Sequence, residues 1–280
     1  MTRHATGQAS VPTRRRAEEV DWNSGADRPQ ASELPPILPA TRALLGNLPA
    51  QADGLILDLG CGVGVPAFEA ARQNPAARVL GVDQAVRVID TARALAAAHG
   101  IANADFKVMS LDALTLPDSS VDAAISQFSF LQEGDLTGST KELARVLKDG
   151  SPFSVAAWDT IELNTLVSHA DRVLRRHVPA ELLPDFDYLT QLASPGLRER
   201  LLREAGISTL HTEMFPFHLK TPSAAAVIFA PVPFGRARDS LAASELEIVK
   251  SELDQETAEF RTGDGTYAFP VACRLFWGNK

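Results

Sequence analysis

The stretch Leu55-Ile56-Leu57-Asp58-Leu59-Gly60-Cys61-Gly62-Val63-Gly64 leaves the chain few conformations. Three aliphatic residues in a row suit a short strand buried on both faces of a parallel sheet, which places Asp58 at its carboxyl end. Gly60, Gly62 and Gly64 lack the β-carbon that disfavours positive φ and blocks close approach to the backbone, so the following turn can fold tightly around a bound molecule. Pro66 suits the first turn of a helix, and Ala67, Phe68, Ala70 and Ala71 continue in helical composition. The segment predicts strand, glycine loop, helix.

Two common nucleotide loops fail on spacing. A dinucleotide-binding G-x-G-x-x-G counted from Gly60 needs a glycine at position 65, where Val65 stands, and no Gly-Lys-Ser/Thr follows to make a P-loop. An acidic residue followed by G-x-G-x-G resembles motif I of the class I S-adenosylmethionine-dependent methyltransferases. The resemblance implies that Asp58, Gly60, Cys61, Gly62 and Gly64 hold the methionine end and ribose of that cofactor, with Asp58 helping to bind the amino group. A second acid is then expected at the end of the second strand, and residues 78–83 supply Asp83, with Gln84 beside it. A carboxylate there can accept from both ribose hydroxyls, a device that dehydrogenases share, so Asp83 alone does not discriminate.

The rest of the cofactor half reads in the same rhythm. A helix is expected over 86–99, a third strand over 106–109, a fourth over 121–126, a helix over 141–147 and a fifth strand over 153–158. The resemblance implies that Asp112 and Ala113 contact adenine, that Ser126 and Gln127 face the cofactor, and that Gln127, Phe128 and Leu131 flank the transferring methyl group. Open α/β sheets bind ligands at these carboxyl ends. The chain lacks the Asn/Asp-Pro-Pro-Tyr type of fourth motif found in many amino-methylating nucleic-acid enzymes. Residues 147–152, Leu-Lys-Asp-Gly-Ser-Pro, depart from the family's usual Leu-Lys/Arg-Pro-Gly-Gly turn, which is remote from the cofactor. Trp158-Asp159 and Asp264 to Phe269 resemble elements of a bacterial small-molecule branch.

Four segments are expected: a mobile tail over 1–30, a Rossmann-like cofactor core over 31–160, a helical cap over 161–194, and the completion of the sheet with inserted helices over 195–280. Residues 163–177 carry apolar side chains at helical spacing, so one face is buried, and 179–192 reads as a second short helix. Then come a helix over 197–205 closed by Gly206, a strand over 209–219, helices over 221–230 and 240–260, and a last strand over 266–276. Pro270 removes a ladder donor and suits an edge or bulge. The fold class is α/β: a seven-stranded, mostly parallel sheet with helices on both faces, an antiparallel last strand and a helical cap.

Methyl transfer is an in-line displacement that needs the nucleophile held near the methyl carbon, and an oxygen or carbon nucleophile often also needs a base. His169, on or beside the apolar face of the first cap helix, and His218, near the end of the sixth strand, are the candidates, with Gln127. Trp22, Phe128, Leu131, Trp158, His169 and Phe229 are the candidate substrate contacts. Trp22 reads equally as a lid or as an anchor of the tail. No metal-ligand spacing occurs.

A net charge of -8 and a pI near 5.3 argue against a nucleic-acid partner, and no apolar run reaches membrane-spanning length. Two cysteines 212 positions apart form no disulfide framework, and with no secretory signal the expected compartment is the cytoplasm. The expected activity is methyl transfer from S-adenosylmethionine to O, N or C of a largely apolar small molecule, a secondary metabolite by first choice. A homodimer stays open. The alternatives are a cyclisation on the same fold, with or without methylation, and a non-catalytic ligand-binding protein.

Overall fold

The structure is a computed structural model that describes residues 38–48, 53–131, 134–193, 196–229 and 233–280, with only the backbone described at 187–189. Helix α1 (Pro39–Gly46) precedes strand β1 (Gly54–Leu59), helix α2 (Val65–Gln73), β2 (Ala77–Asp83), α3 (Val86–Ala98), β3 (Ala104–Val108), β4 (Ala123–Gln127), α4 (Leu136–Val146) and β5 (Pro152–Trp158). After β5 come α5 (Thr165–Leu174), α6 (Phe186–Leu192), α7 (Leu197–Glu204) and β6 (Thr209–Thr221). Helices α8 (Ala226–Phe229), α9 (Gly235–Asp239) and α10 (Ala243–Glu256) then lead to β7 (Tyr267–Asn279). The sheet order is β3-β2-β1-β4-β5-β7-β6, with β1 to β5 parallel and β7 antiparallel to both neighbours. The expected seven-stranded sheet is therefore present.

The order reverses between β1 and β4, where a crevice opens at the carboxyl ends of the strands. Apolar side chains cover both faces: Ile56, Ile125, Ala156 and Leu275 join one cluster, Leu57, Ala124, Val155 and Phe276 the other. This is why β1 and β4 read as continuous rather than alternating apolar runs. In α3 the buried positions Ile89, Ala92, Leu95 and Ala96 repeat at helical spacing, which turns one stripe to the sheet.

Several boundaries differ from the sequence expectation. Helix α4 begins at Leu136, five residues before the expected start, because Asp135 caps it by accepting from the Gly138 amide at 2.9 Å. The expected helix over 221–230 shrinks to α8 because β6 runs on to Thr221, and the expected helix over 240–260 is α10 followed by a 3-10 turn. Residues 1–37, with the expected tail and Trp22, lie outside the described residues.

Pro270 sits in a strand interior to the sheet, with a local reason. It pairs with His218 of β6, but β5 ends at Trp158, opposite Cys273. The Ala272 carbonyl accepts from Asp159 N on the β5 side, so alternate residues of β7, Pro270 among them, turn their backbone nitrogens that way. The missing N–H therefore faces the side where β5 has already stopped, as the edge rule requires.

Helix α5 packs on α10 and α8 over the sheet face that carries Trp158 and Phe217. Helices from the β6–β7 connection thus share one layer with those after β5. Between α5 and α10 run the ion pairs of Arg176 with Glu252 and Glu256, and His177 approaches Glu252 at 3.1 Å. Among the described residues no helix is long and apolar enough to cross a membrane, and no group of three or more His, Cys, Asp or Glu could hold a metal ion.

Candidate active site at the carboxyl ends of β1, β2, β4 and β5

The glycine loop leaves β1 with Gly60, Gly62 and Gly64 all at positive φ, 66°, 53° and 97°. Each serves a different end. A β-carbon at Gly60 would lie 1.9 Å from Ser129 Oγ, and one at Gly64 would lie 2.6 Å from Cζ of Phe68; a β-carbon at Gly62 would meet nothing within 4 Å. Gly60 and Gly64 are thus required by protein packing. Gly62 alone presents bare backbone to open space, which is where a ligand can approach. Cys61 is buried, its amide donating to Val82 O, and burial first of all pushes its thiol far up, so it acts as an inert packing group.

Asp83 closes the loop from β2. One carboxylate oxygen accepts from Gly62 N at 3.1 Å, the other from Ala85 N at 3.0 Å. Each oxygen keeps lone-pair capacity for ligand hydroxyls, while Gln84, beside it, is exposed. Asp83→Ala is expected to weaken adenosyl-cofactor binding about 10- to 100-fold, since a charged hydrogen-bonding group worth about 1.5–3 kcal/mol is lost along with the loop anchor. Calorimetric titration checks this, and unchanged affinity would remove Asp83 from the site.

Asp58 is fully buried, and neither of its carboxylate oxygens has a hydrogen-bond partner. Burial, aided by the nearby charge of Asp83, pushes its carboxyl up to about 8, against a pull from the Ala67 amide that falls short of hydrogen-bond geometry. Such a group calls for a cationic donor. The strand register sets Asp58 beside Ile125 of β4, which is beside Ser154 of β5, with Gln127 one step further toward the crevice on the same face. Gln127 Oε1 and Ser154 Oγ are likewise buried without partners.

Ser126 points to the other face. Its hydroxyl donates to Leu59 O at 2.6 Å and accepts from Phe130 N at 3.2 Å, so it ties the end of β1 to the chain after β4. The expectation that it faces the cofactor is thus redirected: its hydroxyl is committed to backbone. In that chain Phe128 and Leu131 both hold left-handed φ, 58° and 65°, an unfavourable state for such side chains and one that gathers at functional sites. The Phe128 ring stacks on Trp158 at 3.8 Å and 9°, and Trp158 continues to Phe217 at 6.3 Å. Leu131 is buried in the core on the opposite face, 1% exposed, so its side chain packs the fold and does not line the crevice.

Asp112 and Ala113 are exposed in the loop after β3, with Asp112 bonded by Ser110 Oγ and its β-carbon close to Gly138. Leu111 of the same loop reaches over Gly60. The loop therefore rims the glycine turn.

The histidines fall elsewhere. His169 lies in the seam of α5 and α10, its Nδ1 3.8 Å from Glu256 and its ring edge-on to Phe260. His218 is exposed, and it alternates with Phe217, so it lies on the sheet face away from Trp158. His218 is thus turned away from the Trp158 face, and His169 is held in the helical layer that packs over it. Phe229 sits beneath Lys250 of α10, whose ammonium is 5.0 Å from the ring centre.

Sequence reasoning passed over Arg198 of α7. It is 2% exposed, with Nε donating to Leu131 O at 3.1 Å and a terminal nitrogen to Trp158 O at 3.2 Å. An arginine among leucines in an amphipathic helix gives no signal of burial. A recess of about 540 Å³ lies at the opposite ends of the strands, near Gly54, Arg78 and Asp105. Of the charges lining it, Arg78 pairs with Asp105 and Asp122 with Lys148, while Lys107 is the remaining one.

These features define a nucleotide-type crevice of the Rossmann-like class. Residues 56–150 match the profile of a methyltransferase domain family. The sterol 24-C-methyltransferase erg6 of Aspergillus fumigatus is 35% identical over 104 residues, 37% of this chain and 27% of that protein. The O-methyltransferase resE of Aspergillus sclerotiorum is 28% identical over 61% of each chain. The first curated relatives, all sterol 24-C-methyltransferases, are matched over less than a third of their length, 27%, 28% and 30%. The crystal structure of the YcgJ protein of Bacillus subtilis superposes with a TM-score of 0.56 at 18% identity, covering 86% of this chain and 97% of that one, a likeness of fold. The profile match is confined to residues 56–150, and a solved structure of similar fold, a phosphoethanolamine N-methyltransferase of Haemonchus contortus (TM-score 0.53, 16% identity), holds S-adenosyl-L-methionine. The residues present fit that cofactor: an orphaned, buried carboxylate for an ammonium, a bare-backbone glycine, and a strand-end aspartate.

Proposed function

We propose that the protein transfers a methyl group from S-adenosylmethionine to an oxygen, nitrogen or carbon nucleophile of a largely apolar small molecule, with a secondary metabolite as the acceptor. The observation that carries this reading is the pair of orphaned carboxylate oxygens of Asp58 at the end of the strand that leads into Gly62, where a β-carbon would meet only open space. Asp58 would hold the amino group, Asp83 and Gln84 the ribose, and Asp112 and Ala113 the adenine. When bound, the cofactor supplies an electrophilic sulfonium methyl. The chain's own task is positioning. Gln127 Oε1, buried and without a partner, can accept from the acceptor's hydroxyl or amine, while Phe128 and Trp158 present a stacked aromatic wall to its apolar body. Near-attack placement of that kind contributes about 7–11 kcal/mol to such reactions.

His169, in the helical layer over the Trp158 face, is the candidate general base, while His218 lies on the opposite sheet face. Helices α5, α6, α8, α9 and α10 would form the cap that excludes water from this side. The matched sterol and O-methylating relatives support an apolar acceptor, and the acidic net charge of -8 disfavours nucleic acid. A cytoplasmic setting and a homodimer belong to the same proposal.

The test is calorimetric titration with S-adenosylmethionine and, separately, NADH, followed by incubation with hydroxylated and amino-bearing apolar acceptors and mass analysis of the products. Binding of S-adenosylmethionine alone, with a product heavier by one methylene, is expected. Acceptor converted without S-adenosylhomocysteine would replace methylation by cyclisation on the same fold. Folded protein that binds neither cofactor would favour the non-catalytic reading.

A further inference from the structure

The chain after β4 is held in an unfavourable conformation by something outside itself. Phe128 and Leu131, neither of them glycine, both adopt positive φ, a state that costs about 1–2 kcal/mol per residue and persists only where surrounding contacts over-determine it. At the β4 end, Phe128 N donates to Ala156 O at 2.7 Å, and Ser126 Oγ anchors Phe130 N. At the other end the Leu131 carbonyl is taken by Arg198 Nε at 3.1 Å. The same guanidinium donates to the carbonyl of Trp158, the residue whose ring stacks on Phe128. One planar, buried fork on α7 thus grips the backbone of Trp158 and that of Leu131, the far end of the turn that begins at Phe128.

We propose that Arg198 is the positioning residue of the acceptor side. It fixes the 128–131 turn relative to the end of β5, so that Phe128 and Trp158 stay stacked as one wall. The fork geometry is what makes it suitable. Two donors on a rigid plane can span two carbonyls, whereas a lysine offers a single point charge on a flexible stem. As to acceptor placement, the inference rests on the methyl-transfer reading. The coupling of Arg198 to the aromatic pair does not.

The test uses the full chain labelled with ¹⁵N at the tryptophan indoles, with the Trp158 signal assigned by Trp158→Phe. Arg198→Met is expected to move and broaden the Trp158 indole resonance as the stack with Phe128 loosens. Arg198→Lys, which keeps one carbonyl contact, is expected to lie between variant and parent. S-adenosylmethionine affinity, measured by calorimetry on the same samples, is expected to match the parent in both variants. A folded Arg198→Met protein with the parent's Trp158 resonance would overturn the proposal. A loss of cofactor affinity parallel to the spectral change would also overturn it, by making Arg198 a support of the whole crevice. If Arg198→Met does not fold, the lysine variant decides by the same two readings. If the parent itself binds no S-adenosylmethionine, the functional reading fails, and the Trp158 signal still shows whether Arg198 sets the pair.

Discussion

Replacing Asp58 by asparagine is expected to weaken S-adenosylmethionine binding by at least about 100-fold, because removing one partner of a buried ion pair costs about 3–5 kcal/mol. The carboxyl of ligand-free Asp58 is pushed up to about 8 by burial, from an ordinary 3.8. Between those values the folded protein holds a proton that the unfolded chain has released. Stability from this group is therefore greatest near pH 4 and falls as pH rises toward 8, with a slope of at most about 1.4 kcal/mol per pH unit. Asp58→Asn, neutral at every pH, removes that slope. The ligand-free variant should melt above the parent at pH 8 and show little advantage at pH 4.

A ligand ammonium reverses the preference and draws the carboxylate into its ionised form. Between about pH 5.5 and 7, where an α-amino group remains protonated, cofactor affinity should rise with pH toward tenfold per unit. The binding enthalpy should vary with the ionisation enthalpy of the buffer, reporting one released proton. Affinity flat in pH, with a buffer-independent enthalpy, would show that Asp58 does not meet the amino group.

The second large effect separates the glycines. Gly60→Ala sets a methyl 1.9 Å from Ser129 Oγ and 2.3 Å from its β-carbon, at a φ of 66°. Overpacking of about 1–3 kcal/mol and a left-handed penalty of about 1–2 kcal/mol should add, enough to threaten folding at 37 °C. Gly62→Ala, with open space around it, should lose only the backbone term yet bind cofactor far more weakly. Thermal melts and calorimetry on both variants test this. Ser129→Gly in the Gly60→Ala background should restore much of the stability, since it removes the atoms in the way. Equal melting of the two alanine variants would mean that the loop relaxes and that the division of roles is wrong.

What the sequence could determine followed from local chemistry. Aliphatic runs ending in Asp58 and Asp83, glycines at alternate positions and Pro66 after them leave one economical folding for the first βαβ unit and its crevice, while the antiparallel last strand is implied by the family resemblance. Apolar spacing starts helix α4 five residues late because its true start depends on a cap, Asp135, whose partner is the amide of a glycine. Tertiary structure alone decided which glycine faces open space, since the φ values are alike and only the neighbours Ser129, Phe68 and Phe106 differ. It also decided the fate of the histidines. Helical periodicity puts His169 near an apolar face, but the side chain facing its ring nitrogen is Glu256 of α10, 87 residues later, and strand alternation turns His218 away from Phe217. Arg198 was invisible for the same reason: its burial and its two carbonyl partners come from segments 67 and 40 residues away. Periods and motifs report what neighbouring residues force on one another. Which distant segment closes over a side chain is set by packing of the whole chain.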